Sequence, residues 1–308
     1  MSSRYALAII GGGRMGEAIA AGLVSSGALA AESIAVAEPS EARRGVFARH
    51  GIVAVGDGHE IVGDAEVVLL AVKPQVFDTV LAHLADDIAE GALVVSIAAG
   101  ITTARIESLL RADAPVVRVM PNTPAMVGAG MAVVSGGGFA TDDQVERVRT
   151  LFEALGEALV IDERHQDAAT AISGSGPAYV ALMIDALARA GVNQGLTREV
   201  AQALAVQTVK GTAELLDATG MHPQELIDGV ASPGGTTIAA ITALEPVWNA
   251  STSAPWFISV IAASRSRGGS NQASSHKSLM RAAGLTERMP SVNAFRPCST
   301  SGMGKPAT

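Results

Sequence analysis

Short apolar runs alternate with amphipathic stretches through the first half of the chain, and this alternation limits the fold more than any other feature. Residues 5–10 (YALAII), 33–37 (SIAVA), 67–72 (VVLLAV), 92–97 (ALVVSI) and 115–120 (PVVRVM) are short and nearly all apolar. A strand without a polar face has to be covered on both sides, which is the situation of a parallel sheet between two helical layers. The intervening stretches 14–26, 40–49, 74–89 and 102–111 carry helical spacing and supply that cover. Weaker strand signals at 131–135 (MAVVS) and 158–161 (ALVI) flank a helix at 141–155 and are expected to extend the sheet. The fold class expected is α/β, with a doubly wound sheet.

After about residue 162 the strands stop. Residues 162–173, 177–192, 197–217 and 223–230 all have helical periodicity, with Gly195 as a stop and Thr197 as the following start. These helices are alanine-rich and apolar on more than one face, which points to burial against a second chain. Aromatic residues make up only 3% of the sequence, so small side chains and close helix contacts must build this half. At Pro246 the character changes again: the segment to Thr308 is rich in Ser, Pro and Arg, holds both tryptophans, and has Glu287 as its only acidic residue. The expected division is 1–162 for a nucleotide-binding unit, 163–245 for a helical unit, and 246–308 for an atypical, poorly ordered tail.

Between the first strand and the first helix lies IIGGGRMGEA, with Gly11, Gly13 and Gly16 in the order G-x-G-x-x-G. That spacing serves a tight turn, close backbone approach to a pyrophosphate, and close packing of helix on strand, so the sheet is expected to be Rossmann-like. Ile10, Gly11, Gly12, Gly13, Arg14, Met15 and Gly16 are the expected cradle, with the phosphates facing a helix N-terminus. Glu38 ends the second apolar run, where an acid commonly binds ribose hydroxyls of NAD, while Ser40, Arg43 and Arg44 beside it suit a 2′-phosphate. These residues leave NAD and NADP open. Ala71, Val72, Lys73 and Pro74 follow the run 67–72, Ala98, Ala99 and Gly100 follow 92–97, and Asn122 follows 115–120. All lie at carboxyl ends of strands, the edge at which open α/β sheets take ligands.

The helical half has glycine-rich stretches of its own. AISGSGPAYV sets Ser173 and Ser175 before a helix opened by Pro177, more Ser-Gly pairs than one helix cap requires. Further on, residues 232–237 read Ser232, Pro233, Gly234, Gly235, Thr236, Thr237 and lead into another helix. Together with AVKP and VRVMPNTPA, and above all PQELIDGVASPGGTTIAAITALE, these motifs resemble those of pyrroline-5-carboxylate reductases, in the same order across residues 5–245. The resemblance implies a Rossmann domain followed by an all-helical domain that interlocks with its twin in a homodimer, with dimers often joined into larger rings. It also implies NADPH-dependent reduction of 1-pyrroline-5-carboxylate to L-proline, with NAD as the alternative cofactor because of Glu38. Within it, residues 232–237 would bind the substrate, with the amides of Gly234, Gly235 and Thr236 on its carboxylate and the Thr237 hydroxyl on its ring nitrogen. Ser173 and Ser175 would border the nicotinamide or the substrate. Two departures stand out. Residues 56–60 (GDGHE) have Gly58 near where many members carry a cofactor-touching Asn, and the resemblance ends at Glu245. A reading-frame change near codon 246 and a lineage-specific extension both account for the second.

Composition excludes other classes. A formal net charge of −8, with no basic face before residue 246, argues against nucleic acid. The lone Cys298 rules out a disulfide framework, and the six histidines fall at no metal-ligand spacing, so no metal is expected. Lys210 is the only lysine in 163–245 and has no supporting motif, which weighs against a β-hydroxyacid dehydrogenase. The N-terminal run lacks a signal-peptide pattern, and the uncharged stretch 119–141 is broken by Pro121, Pro124 and glycines. A cytoplasmic protein that does not enter membranes is expected.

Overall fold

The strands are β1 Leu7–Ile10, β2 Ile34–Ala37, β3 Val53–Val55, β4 Val67–Leu70, β5 Leu93–Ser96, β6 Val116–Met120, β7 Gly130–Gly136 and β8 Gly156–Val160 in the computed structural model, which describes residues 4–252. They form one sheet in the order β3-β2-β1-β4-β5-β6-β7-β8. All neighbours are parallel except β6 and β7. Six of these strands fall on runs expected from the sequence, together with the run at 158–161 that became β8. β3 had no such run: it is three residues long, half-buried throughout, and forms the sheet's edge.

Covering helices are α1 Arg14–Ser25, α2 Glu41–Ala48, α3 Phe77–Leu84, α4 Thr103–Glu107 and α5 Asp142–Glu153. Alternation within each strand feeds two cores, one on each side of the sheet. Leu7 and Ile9 join Ile19, Leu23, Phe47 and Phe152 on one face, while Ala8 and Ile10 join Phe77, Leu81, Leu84 and Ile106 on the other. Burying each such large side chain contributes about 1.5–3 kcal/mol, so the double cover is what makes short strands sufficient. The strand order reverses between β1 and β4, which opens a crevice at their carboxyl ends.

The second half is helical: α6 Gln166–Ala169, α7 Gly176–Asn193, α8 Arg198–Thr219, α9 Pro223–Val230 and α10 Thr236–Thr252. The stretch 162–173 is not one regular helix as its periodicity suggested. A 3-10 turn (Glu163–His165) leads into α6, then a π-helical segment (Thr170–Gly174) that runs directly into α7. α8 starts where expected, with the Thr197 hydroxyl accepting from the Val200 N–H. α7 and α8 meet through Ala188, Ala201 and Ala205, backed by Ile184 and Val192. That small core leaves much apolar surface outside: Leu182 is 67% exposed, Leu204 55% and Leu244 63%. The backbone of α10 continues past the composition change at Pro246 to Thr252; the expectation for the rest of the tail lies outside the described residues.

Residues 163–193 are long and apolar enough, by length and composition alone, to cross a bilayer. Their N-terminal end is anchored to the sheet by polar bonds. Arg118 of β6, with its side chain 4% exposed, is flanked by Glu163 and Asp167, and Glu163 also accepts from the backbone N–H and hydroxyl of Thr103. Gln166 donates to the Val133 carbonyl and the Ser135 hydroxyl, while its own buried Oε1 has no partner.

Candidate active site

Each glycine of the first motif has a separate steric reason. Gly11 adopts φ +110°, where an L side chain is strained, and a Cβ there would also meet the Ala71 carbonyl oxygen at 2.7 Å. A Cβ on Gly16 would lie 2.2 Å from the Gly11 carbonyl oxygen, so α1 can rest on its turn only with glycine at this place. Gly13 differs. It caps α1 with no side-chain hydrogen bond, is exposed, and a Cβ on it would meet nothing within 4 Å. The first amides of α1 therefore face open space at the sheet's switch point, with the positive end of the helix dipole behind them. Ile10 is buried with its carbonyl on the Ala71 N–H, Met15 packs toward the core, and Arg14 is exposed at the helix start.

At the end of β2 the carboxylate of Glu38 is already engaged. It accepts from the Gly12 N–H (3.0 Å) through one oxygen and from the Ser40 N–H (3.0 Å) through the other. Arg43 donates to the Gly12 carbonyl and pairs with Glu17, and Arg44 donates to the carbonyls of Glu38 and Pro39. The expectation that Gly12 offers its amide to a phosphate is corrected: that N–H belongs to Glu38. Glu38 braces the glycine loop, and what it offers a ribose is the remaining lone pairs.

Carboxyl ends of neighbouring strands complete the edge. Lys73 is exposed after β4, with Pro74 opening a 3-10 turn. The Ala98 N–H is bonded to the Ser96 hydroxyl, and Ala99 and Gly100 are exposed. Asn122 is engaged in a different way: its Nδ2 donates to the Ser173 carbonyl (3.0 Å) and its Oδ1 accepts from the Met131 N–H (2.9 Å). Its side chain thus joins the β6 edge to the π-helical segment, with one amide hydrogen and one lone pair left over besides its backbone.

That junction brings Ser173 and Ser175 to the ligand edge. The Ser175 N–H reaches back five residues to the Thr170 carbonyl (2.9 Å), and the hydroxyls of Thr170 and Ser173 bond carbonyls one turn earlier. π-bulges of this kind recur at functional sites. A Cβ on Gly174 would lie 3.4 Å from the Met120 side chain, so the segment presses on the end of β6. Ser175 occupies the cap position of α7 without any cap bond from its side chain. The reading of Ser175 as a helix cap therefore fails, and its hydroxyl is half-exposed beside the edge.

The loop 232–237 corrects one expectation and leaves another standing. Gly235 donates its N–H to the Ser232 carbonyl (3.0 Å), and a Cβ on it would strike the Ser232 hydroxyl at 2.3 Å. Its lack of a side chain answers the turn, not a ligand, and its amide is taken. Gly234 has φ +68° and open space around it. Because Ala239 bonds back to the Gly235 carbonyl, the first-turn amides without a helical partner are those of Thr236, Thr237 and Ile238. The mouth expected at Gly234 opens instead at Thr236, two residues toward the C-terminus. Among the described residues, no hydrogen bond from 221–245 reaches the sheet.

A cleft of about 440 Å³ lies elsewhere, between α1 and residues 125–128, and none of the expected site residues lines it. Sequence reasoning missed the π-helical segment and the Asn122 link, for which periodicity carries no signal.

Comparison with known proteins bears on this arrangement. The sequence profile described as pyrroline-5-carboxylate reductase dimerisation matches residues 163–270, and that described as NADP oxidoreductase, coenzyme F420-dependent, matches 6–100. The first extends past Glu245, where the motif resemblance ended. A pyrroline-5-carboxylate reductase of Synechocystis sp. is 50% identical over 240 residues, 78% of this chain and 89% of that protein. The structure of a pyrroline-5-carboxylate reductase from Coxiella burnetii superposes with a TM-score of 0.77 at 34% identity, over 87% of this chain and 97% of that one. That of the Plasmodium falciparum pyrroline carboxylate reductase with NADP bound gives 0.78 at 29% identity, over 87% and 100%. With that identity over most of both chains, and a helical half matched by the family's own profile, the chain belongs to the pyrroline-5-carboxylate reductase family.

Proposed function

We propose that this chain reduces 1-pyrroline-5-carboxylate to L-proline with NADPH, in the cytoplasm. The observation that carries the reading is the pair of glycine-opened helix mouths, one at Gly13 on the sheet's switch point and one at Thr236, after Gly234 and Gly235, in the helical half. The first fits a dinucleotide pyrophosphate, because among the described residues no atom lies within 4 Å of a Cβ placed on Gly13. Family membership and the NADP-bound Plasmodium relative support the choice of NADPH.

In this reading residues 1–162 hold the dinucleotide and residues 163–245 bind the substrate and a second copy of the chain. Gly13, Arg14 and Met15 receive the pyrophosphate, and the strand ends 71–74 and 98–100, exposed at Lys73, Pro74, Ala99 and Gly100, border the rest of the cofactor. When bound, the reduced nicotinamide supplies a hydride to the imine carbon. The amides of Thr236 and Thr237 grip the substrate carboxylate with the help of the helix dipole. The Thr237 hydroxyl bonds the ring nitrogen, which enters as the protonated imine, keeps its proton and takes up the C=N electron pair as the carbon accepts hydride. Ser175 and Ser173 wall the reaction space at the end of β6. Orientation of two planar partners is the main contribution of these groups.

Because residues 221–245 bond nowhere to their own sheet while α7 and α8 expose leucines, the substrate loop serves the nucleotide edge of the partner protomer. The test is NADPH oxidation with pyrroline-5-carboxylate, with L-proline measured as product; a folded dimer that binds NADPH but makes no proline rejects the reading. Mixed dimers test the shared site. Gly13→Asp protomers alone are expected to be inactive and Thr237→Ala protomers strongly impaired, but a mixed dimer assembles one native site if each site draws on two chains. Random mixing then restores about one quarter of wild-type activity. No recovery would mean that each site lies within one chain.

A further inference from the structure

The histidines that follow no metal-ligand spacing in the sequence meet in space at a place the proposed reaction does not use. His59 stands on the 3-10 turn Gly58–Glu60 that follows β3, and His83 on the last turn of α3. Their Nε2 atoms are 2.9 Å apart, with the rings edge to face at 79°. The Asp57 carboxylate completes the group, with one donor atom from each residue lying within 4.8 Å of the others.

We propose that Asp57, His59 and His83 form a surface site for a divalent transition ion of the zinc class. Asp57 and His59 are each oriented by further bonds. The Nδ1 of His59 is hydrogen-bonded to Asp87, an acceptor that favours the ring proton on Nδ1 and so leaves the Nε2 lone pair for an ion. The Asp57 carboxylate accepts from the His59 N–H (3.1 Å) and caps the turn, and the Asp57 N–H is held by Glu60 (3.3 Å), which fixes the carboxylate and leaves its remaining lone pairs for an ion. A carboxylate behind a ligating imidazole is the usual outer support of such centres. Two imidazoles and one carboxylate suit zinc, nickel or copper and not magnesium or calcium. With metal–nitrogen bonds of about 2.0–2.1 Å, two nitrogens on one ion stand about 2.9–3.4 Å apart, so the observed pair needs little movement. Asp57 and His83 are exposed, which leaves the remaining coordination positions to water. An ion here ties the turn after β3 to α3. A Cβ on Gly58, in that turn, would meet both Leu84 and the β1 residue Ile10, so the turn that carries His59 is packed closely on α3 and β1.

The experiment is titration of the chelator-treated, full-length protein with zinc alone, in competition with a chromophoric chelator. One tight equivalent per chain is expected. His59→Gln and His83→Gln should each weaken it at least tenfold, and Asp87→Asn should weaken it by tenfold to a hundredfold through the lost outer support. His50→Gln and His165→Gln should leave it unchanged. Zinc should raise the melting temperature of the wild type but not of His83→Gln, whose zinc-free melting reports its folding. If the tight equivalent persists in the His59→Gln, His83→Gln double variant, or if the wild type binds zinc no more tightly than that variant, the two histidines form only a hydrogen-bonded pair.

Discussion

Gly13 and Gly16 belong to one motif, yet the structure assigns them opposite consequences. A Cβ on Gly16 lies 2.2 Å from the Gly11 carbonyl oxygen, with backbone on both sides of the clash and no side chain that can swing away. Gly16→Ala must push α1 off its turn. Overpacking costs about 1–3 kcal/mol, and a backbone-against-backbone clash belongs at the upper end. For a domain of this size each 1 kcal/mol shifts the melting temperature by roughly 2–4 °C, so a drop of about 6–12 °C is expected. Gly13→Ala meets no protein atom, and its backbone (φ −68°, ψ −175°) suits alanine. Its folding cost is the poorer capping of α1, at most about 1 kcal/mol. Its methyl group instead enters the space where the proposed reading puts the pyrophosphate, and a loss of at least tenfold in NADPH affinity, about 1.4 kcal/mol, is expected. Thermal melting together with an NADPH fluorescence titration separates the two. If Gly13→Ala melts normally and binds NADPH as tightly as the wild type, the mouth of α1 is not where the pyrophosphate rests.

Thr237→Ala should lower kcat by about tenfold to a hundredfold while the NADPH Kd stays unchanged, with Thr237→Ser restoring most of the rate. Equal losses in turnover and NADPH binding remove Thr237 from the chemistry. Glu38→Gln keeps an acceptor for the Gly12 N–H but removes the negative charge, so the ratio of NADPH to NADH affinity should rise by about threefold to tenfold; an unchanged ratio in paired titrations means the 2′-phosphate lies elsewhere. Arg118→Met leaves Glu163 and Asp167 without their cation at 24% and 22% exposure. Partial hydration softens that loss to about 2–3 kcal/mol, read in chemical denaturation, and Arg118→Lys should recover part of it.

The sheet was legible because its strands have no polar face: Ile9 and Ile10 feed opposite cores, and only double cover permits that. β3 was not, since three half-buried residues at an edge leave no periodic trace. The same limit applies within the site. Residue type identified Gly11, Gly13 and Gly16, whose roles follow from local geometry. It misassigned Gly12 and Gly235, whose amides are captured by Glu38 and by the Ser232 carbonyl, because competition for a donor depends on what the fold brings near. Asn122 and Ser173 lie 51 positions apart and are joined by one hydrogen bond. His59 and His83 are 24 apart and meet only because the turn after β3 lies beside α3. Motifs thus identify groups whose task is to present backbone, while the allocation of individual donors and acceptors needs the three-dimensional neighbours. The loop 232–237 is the extreme case. Its amides open at Thr236, yet among the described residues no hydrogen bond from 221–245 reaches the sheet and the neighbouring helices leave leucines exposed, so the role proposed for these amides rests on a facing surface that a second chain would supply.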